Sequence, residues 1–229
     1  LLQFCKTRDT YDRANKLWSL YQYVANKKGP GTSPIAESGG FIRSRPELAA
    51  PDIQLHFLPV LVVDHGRTQM KRNGYSLHIC TLRPESRGTI RLKSKNPADH
   101  PLIDANYLAE RRDLDTLMEG LKIGREIFAG AGLDPYRAAE FQPGPSVKTD
   151  AEIEQWIRGH CETIYHPVGT CKMGPDNDPM AVVDHRCRVR GLVGLRVVDA
   201  SVMPTQVGGN TNAPTIMIAE RVAGFMQEP

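Results

Sequence analysis

The alternation of apolar and polar residues predicts strands in the first half of the chain. Residues 53–63 are rich in β-branched and aromatic side chains, which predicts a strand that is interrupted or ends near Pro59. Residues 76–82 and 89–93 predict two more strands, and the connection between them supplies a proline and a glycine for a turn. In the last strand Ile90 alternates with basic neighbours, so one face is expected to be buried. The pattern indicates antiparallel sheet.

Helices are predicted where apolar residues recur every three to four positions. The first lies between Asn106 and Gly130, and the second begins at Thr149, which precedes Glu152 with the spacing of a capping box. A third covers residues 214–226, with proline in its first turn. The side chains expected to pack inward in these three helices are Leu114, Leu117, Met118, Leu121, Phe128, Ile153, Trp156, Ile157, Ile216, Met217, Ala219, Val222, Ala223 and Met226.

Two further segments complete the expected fold. The prolines and glycines of residues 28–34 would break any regular element, so much of the first fifty residues is predicted to be loop. Residues 195–199 predict a short strand of the kind buried inside a parallel sheet, yet the chain supplies no evident neighbouring strands. The sequence therefore indicates an α+β fragment, in which a final strand–helix unit completes a sheet that lies upstream of Leu1 or in another chain.

Composition and charge exclude some classes of function. The chain has 229 residues, of which 40% are apolar and 24% charged, values that are normal for a soluble globular protein. Its net charge of +3 comes from basic residues scattered among acids, so we expect no nucleic-acid partner. The longest uncharged apolar run covers residues 57–63, which is too short for a transmembrane helix.

The five cysteines favour reduced thiols and a cytoplasmic location, since their number is odd and no secretory signal is visible. Three of them lie close in sequence to two histidines, as a zinc site would require. Their spacings do not match the short ligand pairs of structural zinc sites, so we predict no metal site. The residues of this discarded cluster are Cys161, His166, Cys171, His185 and Cys187.

The strongest chemical signal comes from residues 165–174 (YHPVGTCKMG), residues 198–204 (VDASVMP) and residues 208–220 (GGNTNAPTIMIAE). His166 stands in the first segment between residues that favour a constrained turn. An imidazole, whose ordinary pKa is about 6.5, is a suitable base for removing the proton of an alcohol. A histidine that only packs or pairs with the backbone is the alternative, and it is the interpretation kept for His56, His65, His78, His100, His160 and His185.

These segments resemble the glucose–methanol–choline (GMC) oxidoreductase family and are closest to its choline-dehydrogenase-like branch. Three others look like family segments in the family order, namely residues 51–54 (PDIQ, starting at Pro51), 86–92 (SRGTIRL) and 101–108 (PLIDANYL). The resemblance covers nearly all of the chain, most convincingly from about residue 85 onward.

The resemblance implies a domain plan and a cofactor. Residues 1–85 would be a substrate-domain segment with antiparallel sheet, and residues 86–190 the C-terminal region of that domain. Residues 191–229 would supply the final strand and helix of an FAD-binding, Rossmann-like domain located elsewhere. FAD is then the expected cofactor. The FAD-binding half, in the same polypeptide or a separate chain, is the expected partner, so this chain alone should not catalyse.

The resemblance also assigns residues to the site. His166 and Asn210 are the expected catalytic pair, and their separation of 44 residues (210 − 166) fits the family. His166 would be the base, whereas an amide can only hold the substrate oxygen. Asp199 is expected to contact the ribityl–pyrophosphate region, with a turn cap as the alternative. The cofactor-binding residues implied in this way are Asp199, Ala200, Asn210, Thr211, Asn212, Ala213, Pro214 and Thr215.

The expected activity is oxidation of an alcohol CH–OH group to a carbonyl by hydride transfer to flavin. A non-catalytic remnant or subunit that offers a binding or dimerising surface is the alternative, and homo-oligomerisation is left open. The motifs do not select the alcohol or the electron acceptor.

Overall fold

The chain divides into two compact units, each made of two segments, and each unit is described separately. The first comprises Leu1–Thr81 and Leu114–Cys161, and the second comprises Leu82–Asp113 and Glu162–Pro229. The boundaries at residues 85 and 190 concern the domains of the family and stay predictions. This computed structural model describes residues 1–5, 16–68, 70 and 72–228.

The described residues contain seven strands and four helices of more than one turn. The strands are β1 (Leu2–Cys5), β2 (Ser38–Ile42), β3 (Ile53–Leu58), β4 (Gly74–Thr81), β5 (Thr89–Arg91), β6 (Leu102–Asp104) and β7 (Glu140–Gln142). The helices are α1 (Lys16–Asn26), α2 (Arg111–Ala129), α3 (Asp150–His160) and α4 (Asn212–Gln227).

The first unit is built on a five-stranded antiparallel sheet of order β2-β3-β4-β1-β7. Its two central strands, β3 and β4, confirm the strands expected near residues 53–63 and 76–82. β3 ends at Leu58 because the next residue, Pro59, has no N–H to donate to a neighbouring strand.

The expectation of loop over much of the first fifty residues is wrong in part. Regular structure there includes β1, α1 and β2, while residues 28–34 contain a 3₁₀ turn at Pro30–Thr32. β1 has four residues and lies between β4 and β7. Its stability comes from partner strands that are distant in sequence, which a local pattern does not reveal.

One face of the sheet packs against α2, whose inward side follows the predicted helical spacing. Leu114, Met118, Leu121 and Phe128 are buried, while Leu117 is half-buried. Two glycines on this side let the helix backbone approach the strands closely. A Cβ atom at Gly120 would lie 2.6 Å from Cγ2 of Ile79, and one at Gly124 would lie 3.2 Å from Cδ2 of Leu2.

The opposite face of the same strands carries polar side chains. His56 of β3 and His78 of β4 are direct cross-strand partners. Burial lowers the pKa of His78 to about 4, and the neighbouring His56 acts in the same direction. Nε2 of His78 is buried and has no hydrogen-bond partner among the described residues. His78 is therefore held as a neutral ring in a largely buried position.

We expect the stability of the chain to fall as the pH drops from about 6.5 towards 4. Over this range the unfolded state takes up a proton at His78, whereas the folded state, with its lowered pKa, does not. The loss in the free energy of unfolding from this group should be about 2 kcal/mol at pH 5. Urea unfolding at pH 7 and pH 5 measures it. The His78→Gln variant is the control, and an equally steep loss in that variant would exclude His78 as the cause.

α3 begins as its sequence predicted. The Thr149 hydroxyl accepts a hydrogen bond from the Glu152 N–H (3.3 Å), and the Glu152 carboxylate accepts one from the Thr149 N–H (2.8 Å). This reciprocal capping box satisfies two N–H groups at the helix start. Ile153 and Ile157 are buried, whereas Trp156 is half-buried and stacks on His160.

In the second unit, β5 pairs with β6 to form a two-stranded ribbon. The strand expected at residues 89–93 is confirmed as β5, but the expectation that it buries one face is wrong. Ile90 is 53% exposed and Leu92 just beyond β5 is 86% exposed. Among the described strands, β5 and β6 pair only with each other, and all of their residues are exposed. The apolar side of β5 therefore has no second layer to pack against.

The core of the second unit is formed by buried Val183, Cys187, Val202 and Val222. The strand predicted at residues 195–199 is absent from the described structure. Arg196 makes a single antiparallel bridge to Arg188, and Leu195 is 48% exposed. An apolar extended segment becomes a parallel strand only where neighbouring strands pair with its backbone, and this unit provides none among its described residues.

α4 covers the predicted helix, but its packing face differs from the prediction. Val222 is buried and Ile218 and Phe225 pack on the same core. The expected packing residues Ile216, Met217 and Met226 are more than half exposed, and Ala219 and Ala223 are exposed as well. The helix therefore presents a second apolar side to solvent. No helix in the described part of the chain is both long and apolar enough to cross a bilayer.

Candidate active site

The segment that carries His166 is held in place by a short 3₁₀ turn at Ala200–Val202. The carbonyl of Ser201 accepts hydrogen bonds from the N–H groups of Gly169 and Cys171, each at 3.1 Å. Gly169 has a φ of +90°, a left-handed conformation that a glycine adopts without strain. The anchoring role of Ser201 was not predicted, because a backbone carbonyl leaves no mark in the sequence.

The two residues expected to form the catalytic pair are in contact. Nδ2 of Asn210 lies 3.1 Å from Nε2 of His166. An amide nitrogen can only donate, so in this arrangement Nε2 of His166 carries the lone pair and accepts. Burial lowers the pKa of His166, which also favours the neutral ring. His166 is half-buried and Asn210 is exposed, so a ligand can reach both groups.

The turn before Asn210 is shaped by Gly208 and Arg83. Gly208 has a φ of +72°, and a Cβ atom there would lie 3.0 Å from a guanidinium nitrogen of Arg83. The Arg83 side chain therefore lies against the backbone of the turn that presents Asn210. Sequence reasoning missed Arg83, because only its proximity in space connects it to a turn 125 residues (208 − 83) further along the chain.

The start of α4 is the second element that the sequence assigned to the site. Thr211 is buried, and among the described residues its side chain makes no capping hydrogen bond to the helix. The hydroxyl and the N–H of Thr215 both donate to the Thr211 carbonyl, at 2.7 and 3.0 Å. Asn212 and Ala213 are exposed, so the first-turn N–H groups face an accessible region. Such a helix end favours a hydrogen-bond acceptor or a negative charge.

Asp199 directly precedes the 3₁₀ turn that anchors the His166 segment. Its carboxylate accepts a hydrogen bond from the Ser201 N–H at 2.7 Å and so caps the 3₁₀ turn, which is the alternative named for it. The residue is exposed, and the neighbouring Ala200 is half-buried. Capping leaves the second carboxylate oxygen able to accept from a ligand, so the cofactor contact stays a prediction.

All five residues of the discarded zinc cluster lie in the part of the chain that the structure describes. Within the described ranges, no group of three or more His, Cys, Asp or Glu side chains is arranged to hold a metal ion. Burial raises the pKa of Cys187 in the core of the second unit. The side chain of Cys5 lies outside the described residues, and the free thiols are Cys80, Cys161, Cys171 and Cys187.

Similar proteins are known among flavoenzymes. The chain is 55% identical over 207 residues to an "Alcohol dehydrogenase [acceptor]" of Pseudomonas putida, covering 90% of this chain and 37% of the relative. It is 48% identical over 206 residues to the mitochondrial choline dehydrogenase of Mus musculus, covering 90% of this chain and 35% of the relative. The chain thus spans little more than a third of the length of these relatives.

Solved structures share the fold. The pyridoxine 4-oxidase of Mesorbium loti matches with a TM-score of 0.75 and 33% identity, over 83% of this chain and 38% of that one. A variant of the formate oxidase of Aspergillus oryzae, studied for its FAD modification, matches with a TM-score of 0.88 and 23% identity, over 99% of this chain and 45% of that one. This second likeness supports the fold alone.

A protein-family model described as GMC oxidoreductase matches residues 84–219, which include the His166 segment, Asp199, Asn210 and the first half of α4. The match covers more than half of the chain and confirms the family that the motifs indicated. The chain belongs to the GMC oxidoreductase family.

Proposed function

We propose that the chain is the C-terminal part of an FAD-dependent enzyme that oxidises an alcohol CH–OH group to a carbonyl, with His166 as the base. The contact between Nε2 of His166 and Nδ2 of Asn210 carries the proposal. It joins a proton acceptor and a fixed hydrogen-bond donor at one accessible point, which is what loss of a hydride and a proton from one alcohol requires.

His166 removes the hydroxyl proton. Its Nε2 atom accepts from the Asn210 amide and is therefore unprotonated before substrate arrives. The lowered pKa of His166 keeps the ring neutral at physiological pH. A substrate hydroxyl that takes the place of the Asn210 N–H at Nε2 can donate its proton there, so the imidazole becomes an imidazolium as the alkoxide forms.

Asn210 holds the substrate oxygen. Its Nδ2 atom donates towards His166 in the structure, and when a substrate oxygen takes the place of the ring nitrogen, the same amide can donate to the oxygen on which negative charge develops. The amide has no useful proton affinity, so the two residues have distinct roles. Arg83 lies against the Gly208 turn that precedes this amide.

The residues of the second unit fit FAD as the cofactor. The first-turn N–H groups of α4 at Asn212 and Ala213 would hold a flavin carbonyl, and the exposed carboxylate of Asp199 would accept from the ribityl chain. FAD supplies the acceptor for the hydride when it is bound. The remaining FAD-binding surface belongs to a further half of the protein, which accords with the share of the relatives that the chain covers.

The exposed apolar side of α4 supports this plan. Ile216 and Met217 are 55% and 58% exposed, although both were expected to pack inward. Residues 191–229 would complete the FAD-binding domain, and its sheet would cover this side. The same sheet would supply the partner strands that the strand-like residues 195–199 lack in the described chain.

Absorbance spectroscopy separates the enzyme from a non-catalytic subunit. We expect the chain together with its FAD-binding half to be yellow, and an alcohol to bleach the flavin band under anaerobic conditions. A complete protein that stays colourless after incubation with FAD would contradict the proposal and favour the non-catalytic subunit.

The Asn210→Asp variant tests the contact itself. A carboxylate in place of the amide stabilises the imidazolium and so raises the pKa of His166. We expect the rate of flavin reduction in this variant to need a higher pH, by about one to two units, before it reaches its plateau. Stopped-flow measurements across pH 5–10 provide the profile.

The Asn177→Asp variant is the matched control, because it adds the same charge at an exposed residue of the same unit to which no role in the site is assigned. It should leave the pH profile near that of the unaltered protein. An unshifted profile in Asn210→Asp would show that the two side chains are not coupled during reduction.

A further inference from the structure

Helix α1 turns its apolar side to solvent and its polar side inward. Ser19 and Gln22 are half-buried, whereas every large apolar residue of the helix is exposed. A helix on the surface of a water-soluble protein normally does the reverse. The exposed apolar residues are Leu17 (81%), Trp18 (57%), Leu20 (58%), Tyr21 (55%), Tyr23 (43%) and Val24 (61%).

The inversion is maintained by specific contacts at the end of the helix. Gln22 lies against Gly29, where an added Cβ atom would be 3.2 Å from Cβ of Gln22, and the Gln22 carbonyl accepts from the Lys28 N–H at 3.2 Å. The Tyr23 side chain lies against Gly31, where an added Cβ atom would be 3.0 Å from Cβ of Tyr23. Gly29 has a φ of +82°, so the chain reverses here without strain. The turn thus fixes which side of α1 faces outward.

The charges around this outward side select its partner. Helix α1 contains no acidic residue, and two exposed lysines, Lys27 and Lys28, follow it directly. Nζ of Lys27 lies 5.3 Å from the centre of the Tyr23 ring. On a helical wheel Leu17 and Val24 lie at the middle of the apolar arc, with aromatic rings towards its edges. An apolar arc with aliphatic residues at its centre and aromatic residues at its edges is typical of helices that lie in the surface of a bilayer. Adjacent lysines favour a bilayer that contains anionic lipid.

We propose that α1 is a membrane-surface anchor that inserts Leu17, Leu20 and Val24 into the interface of a bilayer containing anionic lipid. The aromatic rings would lie at the level of the headgroups, with Lys27 and Lys28 against their phosphates. The helix has 11 residues, far fewer than the roughly 20 needed to cross a bilayer, so it lies in the plane of the membrane. The inference does not depend on the proposed catalytic function.

Vesicle flotation tests the anchor with the full chain. The probes are vesicles of phosphatidylcholine with one quarter phosphatidylglycerol, and vesicles of phosphatidylcholine alone. We expect tighter binding to the anionic vesicles, and a loss of about tenfold or more for the double variant Leu17→Gln with Val24→Gln. Exchange of Lys27 and Lys28 for Gln should weaken binding roughly fivefold per lysine. Leu92→Gln, at an 86% exposed leucine on another surface, is the matched control and should bind like the unaltered chain.

A fluorescence measurement reports on α1 directly. The chain has two tryptophans, so the Trp156→Phe variant leaves Trp18 as the sole indole. Its emission should shift to the blue on addition of anionic vesicles.

Failure to float with either vesicle, or equal flotation of the double glutamine variant, would overturn the anchor. So would a blue shift produced by raising the protein concentration without lipid, since it would assign the surface to a second copy of the chain. Loss of flotation when the FAD-binding half is present would overturn it as well, since that half would then cover α1. Neither readout requires turnover, so the anchor and the proposed enzyme can fail separately.

Discussion

In the complete, FAD-containing protein, replacing His166 by alanine should slow the reduction of the flavin by an alcohol by about two to four orders of magnitude. The alcohol must then give its hydroxyl proton to water, because Asn210 can donate but cannot accept at its amide nitrogen. Rapid mixing of oxidised enzyme with alcohol, followed by the decay of the flavin absorbance, measures the step directly. FAD content should stay unchanged, since no FAD contact is assigned to His166.

The matched control for this variant is His185→Ala. His185 lies in the same unit and is exposed, and neither the sequence nor the structure assigns it to the site. It should reduce the flavin at the normal rate. A reduction rate of His166→Ala within a factor of two or three of the control would remove His166 from the role of base. A proportional loss of bound FAD would instead identify a structural role.

The second large effect is expected for stability, at Asp113. This carboxylate is only 5% exposed, and its two oxygens accept hydrogen bonds from the N–H groups of Glu85 and Ser86, both at 2.8 Å. It lies in the first turn of α2, where a negative charge is also stabilised by the helix dipole. Asp113→Ala leaves two backbone N–H groups without their acceptor, and should lower the free energy of unfolding by about 3 kcal/mol.

Chemical denaturation with circular dichroism measures this difference. Glu126→Ala is the control, because Glu126 is an exposed acidic residue of the same helix, and it should change stability by less than about 0.5 kcal/mol. Asp113→Asn should recover little of the loss, since an amide offers only one acceptor atom to the two N–H groups. If Asp113→Ala were as stable as the control, the contact would carry no net stabilisation.

Local signals in the sequence predicted part of the fold well. The capping box of Thr149 and Glu152 forms as expected because its partners stand three residues apart. The inward face of α2 follows from helical periodicity, and β3 stops before Pro59 because a proline cannot donate to the ladder. Asp113 escaped notice for the opposite reason, since its partners lie 27 and 28 residues away.

The candidate site was likewise predicted in part from the sequence and in part seen only in the structure. The motifs around His166 and Asn210 indicated two residues of one site, and the structure brings them to 3.1 Å. Their spacing along the chain does not show which atoms meet. The support from the Ser201 carbonyl and the position of Arg83 were invisible in the sequence, because the first is a backbone group and the second comes from a distant segment.

The sequence by itself determined the family and the helices α2, α3 and α4, whose hydrogen bonds join residues close along the chain, and it predicted the pair of residues expected to react. Tertiary structure alone decided which apolar patterns find a partner. Residues 89–93 predicted a strand with one buried face and residues 195–199 a strand buried on both faces, yet β5 belongs to an exposed ribbon and residues 195–199 make a single bridge. α1 lies in a region that was expected to be mostly loop, and it is a helix that turns its apolar side outward. An apolar pattern predicts that a side of a strand or helix will be covered. Which residues cover it depends on segments far away in the chain or on the surface of another molecule.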